Sequence, residues 1–312
     1  MNTLPHFASL DSALTSLYGT AVAVAHRERI SGGDINKAFA LTLTNGERIF
    51  MKANARERAA FFTAEAAGLS ALAATRAVRT PRILCTGTDD SDGAGYSFLL
   101  LEYVASATMR ADYWERFAEE LAALHRAPTA DILPELASGD RARFGFFQHN
   151  FIGASRQLNT PAASWVAFFR ESRLAPQFAA ADRYFSAADR ARHTRLLDHL
   201  DDFLQEPAVP SLLHGDLWAG NVLCGADGAA WLIDPATYVG HAEADLAMTE
   251  LFGGFPRRFY DAYRAVLPPA AGYERRRNLY NLYQLLNHLN LFGAGYLGAV
   301  RSVVAEYVGS TQ

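Results

Sequence analysis

Cysteine is scarce in this chain of 312 residues, and its two cysteines, Cys85 and Cys224, lie far apart. There is no CxxC pair, and no group of histidines and cysteines has zinc-site spacing, so the sequence excludes a disulfide-rich or zinc-held fold. Residues 1–20 lack the basic start and the continuous apolar stretch of a secretory signal. These absences favour a reducing compartment, and we expect a cytoplasmic protein.

Long hydrophobic runs and an excess of positive charge are also missing. The most apolar run, residues 98–101, stops at Glu102 and is far shorter than the ~20 residues that span a bilayer. The chain has 29 basic and 33 acidic residues, whereas a nucleic-acid-binding domain is usually strongly basic. The arginines at 275–277 follow Glu274 and are predicted to lie on a solvated helix face. We therefore expect neither a membrane nor a nucleic acid as a partner.

The first hundred residues carry mainly strand patterns. Apolar side chains alternate over residues 39–43, and Asn45-Gly46 is a strong hairpin signal. On the return strand, residues 49–52, alternation places Lys52 on the same face as Phe50. The other predicted elements are a helix at 61–74, with Phe62, Ala66, Leu69 and Ala73 on one stripe, and strands at 83–85 and 96–101. This region is predicted to be mostly strands around one helix.

The pattern becomes helical after the connector that follows residue 102. Asp112 is a plausible N-cap for a helix that carries Phe117, Leu121 and Leu124 and stops before Pro128. Further helices are predicted at 165–174, 187–203, 243–252, 257–266 and 273–292, and a short strand pair at 221–223 and 230–233. The sequence predicts an α+β, bilobal protein-kinase-like fold. Its parts are a small antiparallel β-sheet lobe at 1–102, a connector at 103–106 and a larger, mainly helical lobe at 107–312.

The segment HGDLWAGN, residues 214–221, is the most informative stretch of the chain. Asp216 and Asn221 have the spacing of a kinase catalytic loop, and Asp234 follows where an apolar strand ends. Phosphoryl transfer needs a carboxylate near the acceptor hydroxyl, and an amide oxygen and a second carboxylate on Mg²⁺. Asp216 alone is equally well explained as a turn residue. The joint spacing of the three residues favours a catalytic base with a metal pair.

Lys52 and Glu65 form a second predicted constellation. A strand lysine held by a helical glutamate can grip nucleotide phosphates, although a surface lysine and an unrelated glutamate would look the same in sequence. Gly32 and Gly33 precede them and could form a loop over the nucleotide, but they match neither G-x-G-x-x-G nor a Walker A motif. The order of glycine loop, lysine, glutamate and catalytic loop favours the nucleotide-binding interpretation.

Histidines near these motifs are predicted to be structural. His214 precedes Asp216 by two positions, and a hydrogen bond to the backbone around Asp234 is a better explanation for it than proton transfer. His125, at the end of a helix, is predicted to be a satisfied structural group.

The chain resembles the fructosamine kinase, or ketosamine-3-kinase, family of aminoglycoside-phosphotransferase-like enzymes. The segments that carry the resemblance are LHGDLWAGNV at 213–222, DPATYVGH at 234–241, EADLAM at 243–248 and LFGGFP at 251–256. The resemblance implies phosphorylation of the 3-hydroxyl of a ketosamine by ATP and Mg²⁺, followed by deglycation. It implies that Asp216 is the base, that Asn221 and Asp234 hold Mg²⁺, and that Lys52 and Glu65 grip the phosphates. It also implies that the backbone of the connector, Glu102, Tyr103 and Val104, meets adenine.

Three residues are candidates for the substrate side. Trp218 lies two positions after the predicted base and could flank a sugar ring or an amine, or simply pack the loop against the helical lobe. Asn287 and His288 could reach a polar substrate or could be a satisfied helical pair. The glycine loop, residues 31–36, lacks the cysteine that links subunits in some family members, so no redox switch is expected there.

Two rival functions stay open at this point. The first is a kinase for another alcohol, such as an aminoglycoside, choline or homoserine. The second is a nucleotide-binding pseudokinase, against which the complete set of Lys52, Glu65, Asp216, Asn221 and Asp234 argues. Neither the sugar nor its carrier, protein or free amine, is fixed by the sequence. The oligomeric state is also open, with a monomer favoured.

Overall fold

The protein has two lobes, joined where the strand-rich part of the chain passes into its helical part. The structure is a computed structural model that describes residues 4–31, 35–91, 93–133, 135, 139 and 141–309. A six-stranded sheet forms most of the N-terminal lobe, and helices dominate the chain after it. This arrangement confirms the predicted α+β bilobal fold. The lobe boundaries at 102 and 107 stay predictions.

The sheet of the N-terminal lobe has the spatial order β1-β5-β6-β4-β3-β2. Its strands are β1 (His6–Phe7), β2 (Val24–Ile30), β3 (Lys37–Leu43), β4 (Arg48–Ala55), β5 (Ile83–Asp89) and β6 (Tyr96–Glu102). Neighbouring strands are antiparallel, except that β1 runs parallel to β5. The central position of β4 fixes the face that each of its side chains presents. Ile49 and Met51 are buried on one face, while Phe50 and Lys52 line a cleft on the other, as alternation predicted.

Two helices, not one, pack on this sheet. The prediction missed α1 (Leu10–Tyr18), which Ser9 caps through a capping box with Ser12 and which buries Leu10 and Leu14. It was missed because a helix of nine residues gives only two turns of apolar periodicity.

The second helix, α2 (Ala59–Ala74), is buried on two sides. Phe62, Ala66 and Leu69 pack against the sheet, as predicted, whereas Leu72 belongs to the core of the C-terminal lobe. Ala73 was predicted in the apolar stripe but is exposed. A single stripe describes a helix that packs on one surface, and α2 lies between two.

The C-terminal lobe is built from helices around one aromatic-rich core. The helices are α3 (Tyr113–His125), α4 (Trp165–Phe169), α5 (Ala175–Ala180), α6 (Ala187–Asp198), α7 (Ala242–Leu251), α8 (Arg257–Val266), α9 (Tyr273–Phe292) and α10 (Leu297–Val308). A π-helical turn, Arg170–Leu174, joins α4 to α5, and 3-10 turns occupy Asp182–Tyr184, Leu200–Asp202, Ala219–Asn221 and Ala294–Tyr296. The bounds of α8 and α9 agree with the prediction, and α10 was missed.

Short strands hold the loops of this lobe. They are β7 (Asn150–Ile152) with β8 (Ser155–Gln157), β9 (Ser211–Leu213) with β12 (Tyr238–Gly240), and β10 (Val222–Cys224) with β11 (Ala230–Leu232). Of these pairs, the sequence predicted only the last. The pair of β9 with β12 has the largest effect on the cleft between the lobes, because it brings the segment before residue 214 beside the segment after residue 234.

Two local predictions hold only in part. Asp112 lies at the N-cap of α3, but its side chain makes no capping hydrogen bond and instead pairs with Arg110 and Arg116. The arginines at 275–277 are not a solvated face, because Arg276 is buried and makes a two-pronged contact with Glu243, with both N–O distances 2.7 Å. The partner lies on another helix, so local sequence could not reveal it.

Among the described residues, no helix has both the length and the apolar character needed to cross a bilayer. The longest helix, α9, has 20 residues, but polar side chains occur throughout it.

Candidate active site

A cleft of about 1140 Å³ between the lobes brings the predicted site residues together. Its lining includes every described candidate: Lys52, Glu65, Glu102, Tyr103, Val104, Asp216, Trp218, Asn221, Asp234, Asn287 and His288. Gly32 and Gly33 lie outside the described residues. We call the part around Lys52, Glu65 and Asp234 the lysine end. We call the part around Trp218, Phe252, His288, Phe292 and Tyr296 the aromatic end.

Lys52 connects the two lobes at the lysine end. Its Nζ lies 2.6 Å from Glu65 Oε1 on α2 and also contacts Asp234 Oδ1 from the C-terminal lobe. Burial disfavours the charge on Lys52, but Asp234 and Glu65 outweigh burial and hold the pKa of the ammonium above its ordinary range. The lysine is therefore charged whenever the protein is folded at neutral pH, and its charge is shared by two carboxylates.

Asp234 has an unusual backbone and an open side chain. Its φ angle is +55°, in the left-handed region that few residues other than glycine adopt. Hydrogen bonds from Ile233 N to Asn221 O and from Ala236 N to His214 O tie the segments on both sides of it to the catalytic loop. The side chain of Asp234 is 42% exposed, against 12% for Glu65. The carboxylate thus faces the cleft from a fixed backbone.

Asp216 and Asn221 form one unit in the catalytic loop. The Asn221 side-chain nitrogen donates to Asp216 O at 2.9 Å and to Asp216 Oδ2 at 3.1 Å. Burial raises the pKa of Asp216 to about 7. The hydrogen bond from Asn221 lowers this pKa, whereas the nearby negative charges of Asp234 and Asp245 raise it further. A carboxylate whose pKa lies near neutrality is well matched to take up a proton and release it again.

His214 has the structural role that the sequence predicted. Its Nε2 lies 2.9 Å from the carbonyl oxygen of Ile233, the residue before Asp234. Burial lowers the pKa of His214, so the neutral ring donates from Nε2, and Nδ1 accepts from Asp216 N at 3.3 Å. One imidazole therefore fixes the backbone at both aspartates.

The prediction gave no role to Asp245, which binds the backbone of the catalytic loop. Its carboxylate accepts from the backbone N–H groups of His214 and Gly215 at 2.7 and 2.9 Å. His125 lies between Asp245 and the Tyr263 hydroxyl and is satisfied, as predicted. The available signal was a carboxylate among the apolar residues of the segment that forms α7, since a charge buried in a helix needs a partner.

The connector forms the wall beside the lysine end. The Glu102 carboxylate accepts from Arg82 N at 3.1 Å, so its side chain folds back on the N-terminal lobe. The guanidinium of Arg48 lies 4.0 Å from the centre of the Tyr103 ring. These contacts fix the side chains of Glu102 and Tyr103. Both residues line the cleft together with Val104.

Trp218 lies over the catalytic loop with 40% of its surface exposed. A Cβ atom on Gly220 would come within 2.3 Å of the indole ring, so only glycine permits this ring position. Similarly, a Cβ on Gly254 would lie 2.5 Å from the Ala219 side chain. The two segments that the sequence singled out, residues 213–222 and 251–256, thus touch each other at the aromatic end.

Asn287 and His288 lie on α9 and face the same space. Asn287 is buried, and its Oδ1 is 3.5 Å from the side-chain nitrogen of Gln177. His288 Nδ1 lies 2.8 Å from the backbone carbonyl of Gln284. Because a carbonyl only accepts, Nδ1 must carry the proton, and Nε2 of the neutral ring is a hydrogen-bond acceptor.

The remaining aromatic side chains of this end were not predicted. The His288 ring lies 4.8 Å from Phe252, 5.4 Å from Phe292 and 5.1 Å from Tyr296, measured between ring centres. A signal was present in the sequence, because residues 288, 292 and 296 are spaced at intervals of four. Phe252 comes from a different segment, and no periodicity connects it to the others.

The residues at the lysine end fit a magnesium ion. The nitrogen of the Asn221 amide is used within the loop, which leaves Oδ1 for a metal, and the Asp234 carboxylate is open to the cleft. Among the described residues there is no group of three or more histidine, cysteine or acidic side chains that could hold a metal ion. Mg²⁺ commonly takes only one or two protein oxygens and completes its shell with phosphates and water.

Comparison with known proteins agrees with this geometry. The model of the family described as fructosamine kinase matches residues 7–310. A probable ketoamine kinase from Synechocystis is 39% identical over 297 residues, which cover 95% of each chain. A chloroplastic protein-ribulosamine 3-kinase from rice is 34% identical over 292 residues, which cover 93% of this chain and 81% of the rice protein.

A solved structure extends the agreement to three dimensions. The crystal structure of a candidate fructosamine-3-kinase from Haemophilus somnus superposes with a TM-score of 0.81, at 28% identity and 96% coverage of both chains. The predicted resemblance and the kinase fold are thus confirmed, and the family implies ATP as the co-substrate. The chain belongs to the fructosamine kinase family and is a kinase.

Proposed function

We propose that the protein transfers the γ-phosphoryl group of ATP, with Mg²⁺, to the 3-hydroxyl of a ketosamine. One observation carries this proposal: the same cleft joins the paired charges of Lys52, Glu65 and Asp234 to an aromatic wall beside Asp216. The paired charges suit a nucleoside triphosphate, and the aromatic wall suits a sugar that carries an organic amine. The ketoamine and ribulosamine kinases among its relatives support the ketosamine as acceptor.

Asp216 is the proposed general base. It would accept the proton of the attacking hydroxyl and hold that oxygen toward the γ-phosphorus, since positioning is the main demand of a loose transition state. The Asn221 amide keeps the carboxylate oriented, and His214 and Asp245 fix the backbone on which it stands. Each of these contacts limits the rotation of the base away from the acceptor.

The lysine end is the proposed phosphate and metal site. Lys52 would contact the phosphates, with Glu65 as its anchor. Asn221 Oδ1 and the Asp234 carboxylate would hold Mg²⁺, which neutralises phosphate charge when it is bound. The backbone groups of Glu102, Tyr103 and Val104 would face adenine, and Gly32 and Gly33 would cover the phosphates.

The aromatic end is the proposed acceptor site, with Trp218 against the sugar and Asn287 and His288 as hydrogen-bond partners. The acidic side chains of the described cleft lining are Glu65, Glu102, Asp216 and Asp234. Three of these belong to the lysine end and the connector, so Asp216 is the acid that faces the acceptor. A polycationic aminoglycoside needs several carboxylates, whereas one ammonium beside aromatic faces does not. This charge distribution favours the ketosamine over that rival.

The product would be a 3-phosphoketosamine. Loss of its phosphate by elimination, followed by hydrolysis of the resulting imine by water, would release the amine from the sugar, so the reaction would lead to deglycation. The acceptor is proposed as a fructosamine or ribulosamine, carried on a lysine or on a free amine.

Coupled ATP consumption with Mg²⁺ tests the proposal. Ribulosyl-lysine, fructosyl-lysine, an aminoglycoside and a sample without acceptor are compared, with Asp216→Asn as the matched control, and ³¹P NMR locates the new phosphate ester. We expect turnover on a ketosamine and none in the control. Turnover on the aminoglycoside alone, or nucleotide binding with no ATP consumption by folded protein, would contradict the proposal.

A further inference from the structure

Exposed apolar side chains concentrate in one part of this molecule. The large apolar side chains that are exposed among the described residues are Ile35, Met109, Phe147, Val209, Trp218, Phe252, Val266 and Phe292. Four of these eight, Ile35, Trp218, Phe252 and Phe292, line the cleft between the lobes. Exposed apolar groups that cluster at a cleft mark a binding surface, whereas scattered ones need no explanation.

The outer part of the cluster is at least as exposed as Trp218, which is 40% exposed. Phe252 and Phe292 are 42% and 55% exposed, and Tyr296 completes the group, with its ring 6.4 Å from that of Phe292. We call Phe252, Phe292 and Tyr296 the aromatic rim. The rim surrounds His288 on three sides, and His288 is its polar centre.

The rim is mainly apolar, and His288 at its centre offers a hydrogen-bond acceptor. Nδ1 of His288 is committed to the Gln284 carbonyl, so the neutral ring presents a lone pair at Nε2. Burial lowers the pKa of His288, which keeps the ring neutral, although the Gln284 carbonyl opposes this effect. A neutral acceptor among aromatic faces suits the N–H of a single ammonium that is flanked by methylene groups.

We propose that the aromatic rim binds the substituent on the substrate amine, and that this substituent is the aliphatic stem of a lysine side chain. The inference rests on the proposed function, since it concerns the amine half of the same substrate. His288 Nε2 accepts from the ammonium that joins sugar and lysine, and the methylene stem lies across Phe252 and Phe292. The rim is continuous with the wall of the catalytic cleft, so a stem that leaves the sugar beside Asp216 meets it directly.

The consequence is a preference among ketosamines with the same sugar. A methylamine substituent ends at the ammonium and cannot reach the rim, whereas a pentylamine or lysine substituent can. Each buried methylene adds to transition-state binding, so the longer substituent raises kcat/KM. A substituent that ends in a carboxylate next to the ammonium lacks the apolar stem and has no such advantage.

The test compares ribulosyl-methylamine with ribulosyl-pentylamine in the wild-type protein and in four variants, Phe252→Ala, Phe292→Ala, Phe292→Leu and Phe147→Ala. Phe147 is the matched control, because it is an exposed phenylalanine that does not line the cleft. We expect the wild type and Phe147→Ala to favour pentylamine by about tenfold in kcat/KM. Phe292→Ala should lose most of that ratio, and Phe292→Leu should keep most of it.

Each other outcome has a definite meaning. An equal kcat/KM for both substrates in the wild type, or an unchanged ratio in Phe292→Ala and in Phe252→Ala, would overturn the role of the rim. An equal loss on both substrates, with an unchanged melting temperature, would also overturn it, since Phe292 would then act on the sugar. A wild-type protein that phosphorylates neither ketosamine would instead contradict the proposed function itself, so the two failures can be told apart.

Discussion

The two ends of the cleft differ in charge and in exposure. At the lysine end, Lys52 is shared by Glu65 and Asp234, and the charges are fixed by contacts from both lobes. At the aromatic end, Trp218, Phe252 and Phe292 are at least 40% exposed, and the polar group at the centre of the aromatic rim is a neutral histidine. The charges of the lysine end are paired and held in place, whereas the aromatic end is apolar and exposed.

This difference suggests a division of labour within one site. Every reaction of the enzyme uses the same triphosphate, so the lysine end can be built for one ligand with charges already in place. The proposed acceptors differ in sugar and in substituent, and apolar faces discriminate shape and stem length with little demand on exact hydrogen-bond geometry. A substitution should therefore affect either ATP or acceptor, according to the end it changes, and only Asp216 should affect both.

The largest effect is expected for Asp216→Asn, at the point where the two ends meet. Loss of the base should lower kcat by about 10³-fold, which is within the range of general-base catalysis. The melting temperature should stay the same or rise, because a buried carboxylate near Asp234 and Asp245 is removed. Coupled ATP consumption and thermal denaturation measure the two quantities. A folded variant with activity within tenfold of wild type would remove Asp216 from the mechanism.

The next largest effect is expected for Lys52→Met at the lysine end. We expect kcat to fall by about 10²-fold and KM for ATP to rise, while KM for the acceptor stays unchanged. Unfolding free energy should fall by about 3 kcal/mol, because Glu65 and Asp234 lose their shared cation. Steady-state kinetics with each substrate varied in turn, and urea denaturation, provide the measurements. An equal rise in both KM values would show that the two ends are not independent.

A smaller effect is expected for Trp218→Ala at the aromatic end. Loss of one aromatic face should raise KM for the ketosamine by about tenfold and leave KM for ATP unchanged. Trp218→Phe is the control, because it keeps an aromatic face over the loop. Unchanged kcat and kcat/KM for the ketosamine in Trp218→Ala would assign the indole to packing against Gly220 alone.

The smallest effect concerns pH at the aromatic end. Burial lowers the pKa of His288 below its ordinary value of 6.5, so the neutral ring is the main form from pH 8 to 6.5. Ketosamine affinity should fall by less than about twofold in that range, because more than half of the rings stay neutral. It should weaken as the pH falls through the lowered pKa, because protonated Nε2 no longer accepts a hydrogen bond and adds a repulsive charge.

Calorimetry with the Asp216→Asn variant measures this dependence without turnover and without titration of the base. A second variant that also carries His288→Gln keeps an acceptor but loses the titrating group, and its affinity should not change over the same range. Affinity that falls by much more than about twofold between pH 8 and 6.5 in the histidine form would contradict a lowered pKa for His288.

The lysine end could largely be predicted from the sequence because its parts are local. Asp216, Asn221 and Asp234 lie within one short segment, and alternation along one strand was enough to place Lys52 on the cleft face. The contact between Lys52 and Glu65 needed only a neighbouring strand and helix. The spacing of these residues could not predict the left-handed backbone of Asp234, since most aspartates do not adopt that conformation.

The aromatic end could be predicted only in part because it is assembled from distant segments. Trp218 was singled out by its place beside the base, whereas Phe252 comes from the loop after α7 and Tyr296 from the turn after α9. The buried pair of Arg276 and Glu243 was missed for the same reason, since its members lie on different helices. Periodicity describes one element at a time, and side chains from different elements meet only through tertiary packing.

The shared position of Lys52 has a consequence for how ligands enter the site. Its ammonium contacts Asp234, and a carboxylate oxygen that holds Lys52 is less free to hold a metal. A phosphate that draws Lys52 away therefore frees Asp234, and a cation on Asp234 likewise frees Lys52. In the proposed site this exchange would make binding of nucleotide and Mg²⁺ cooperative, and by linkage the coupling would be equal in both directions. We therefore expect the enzyme to take nucleotide and metal as a pair.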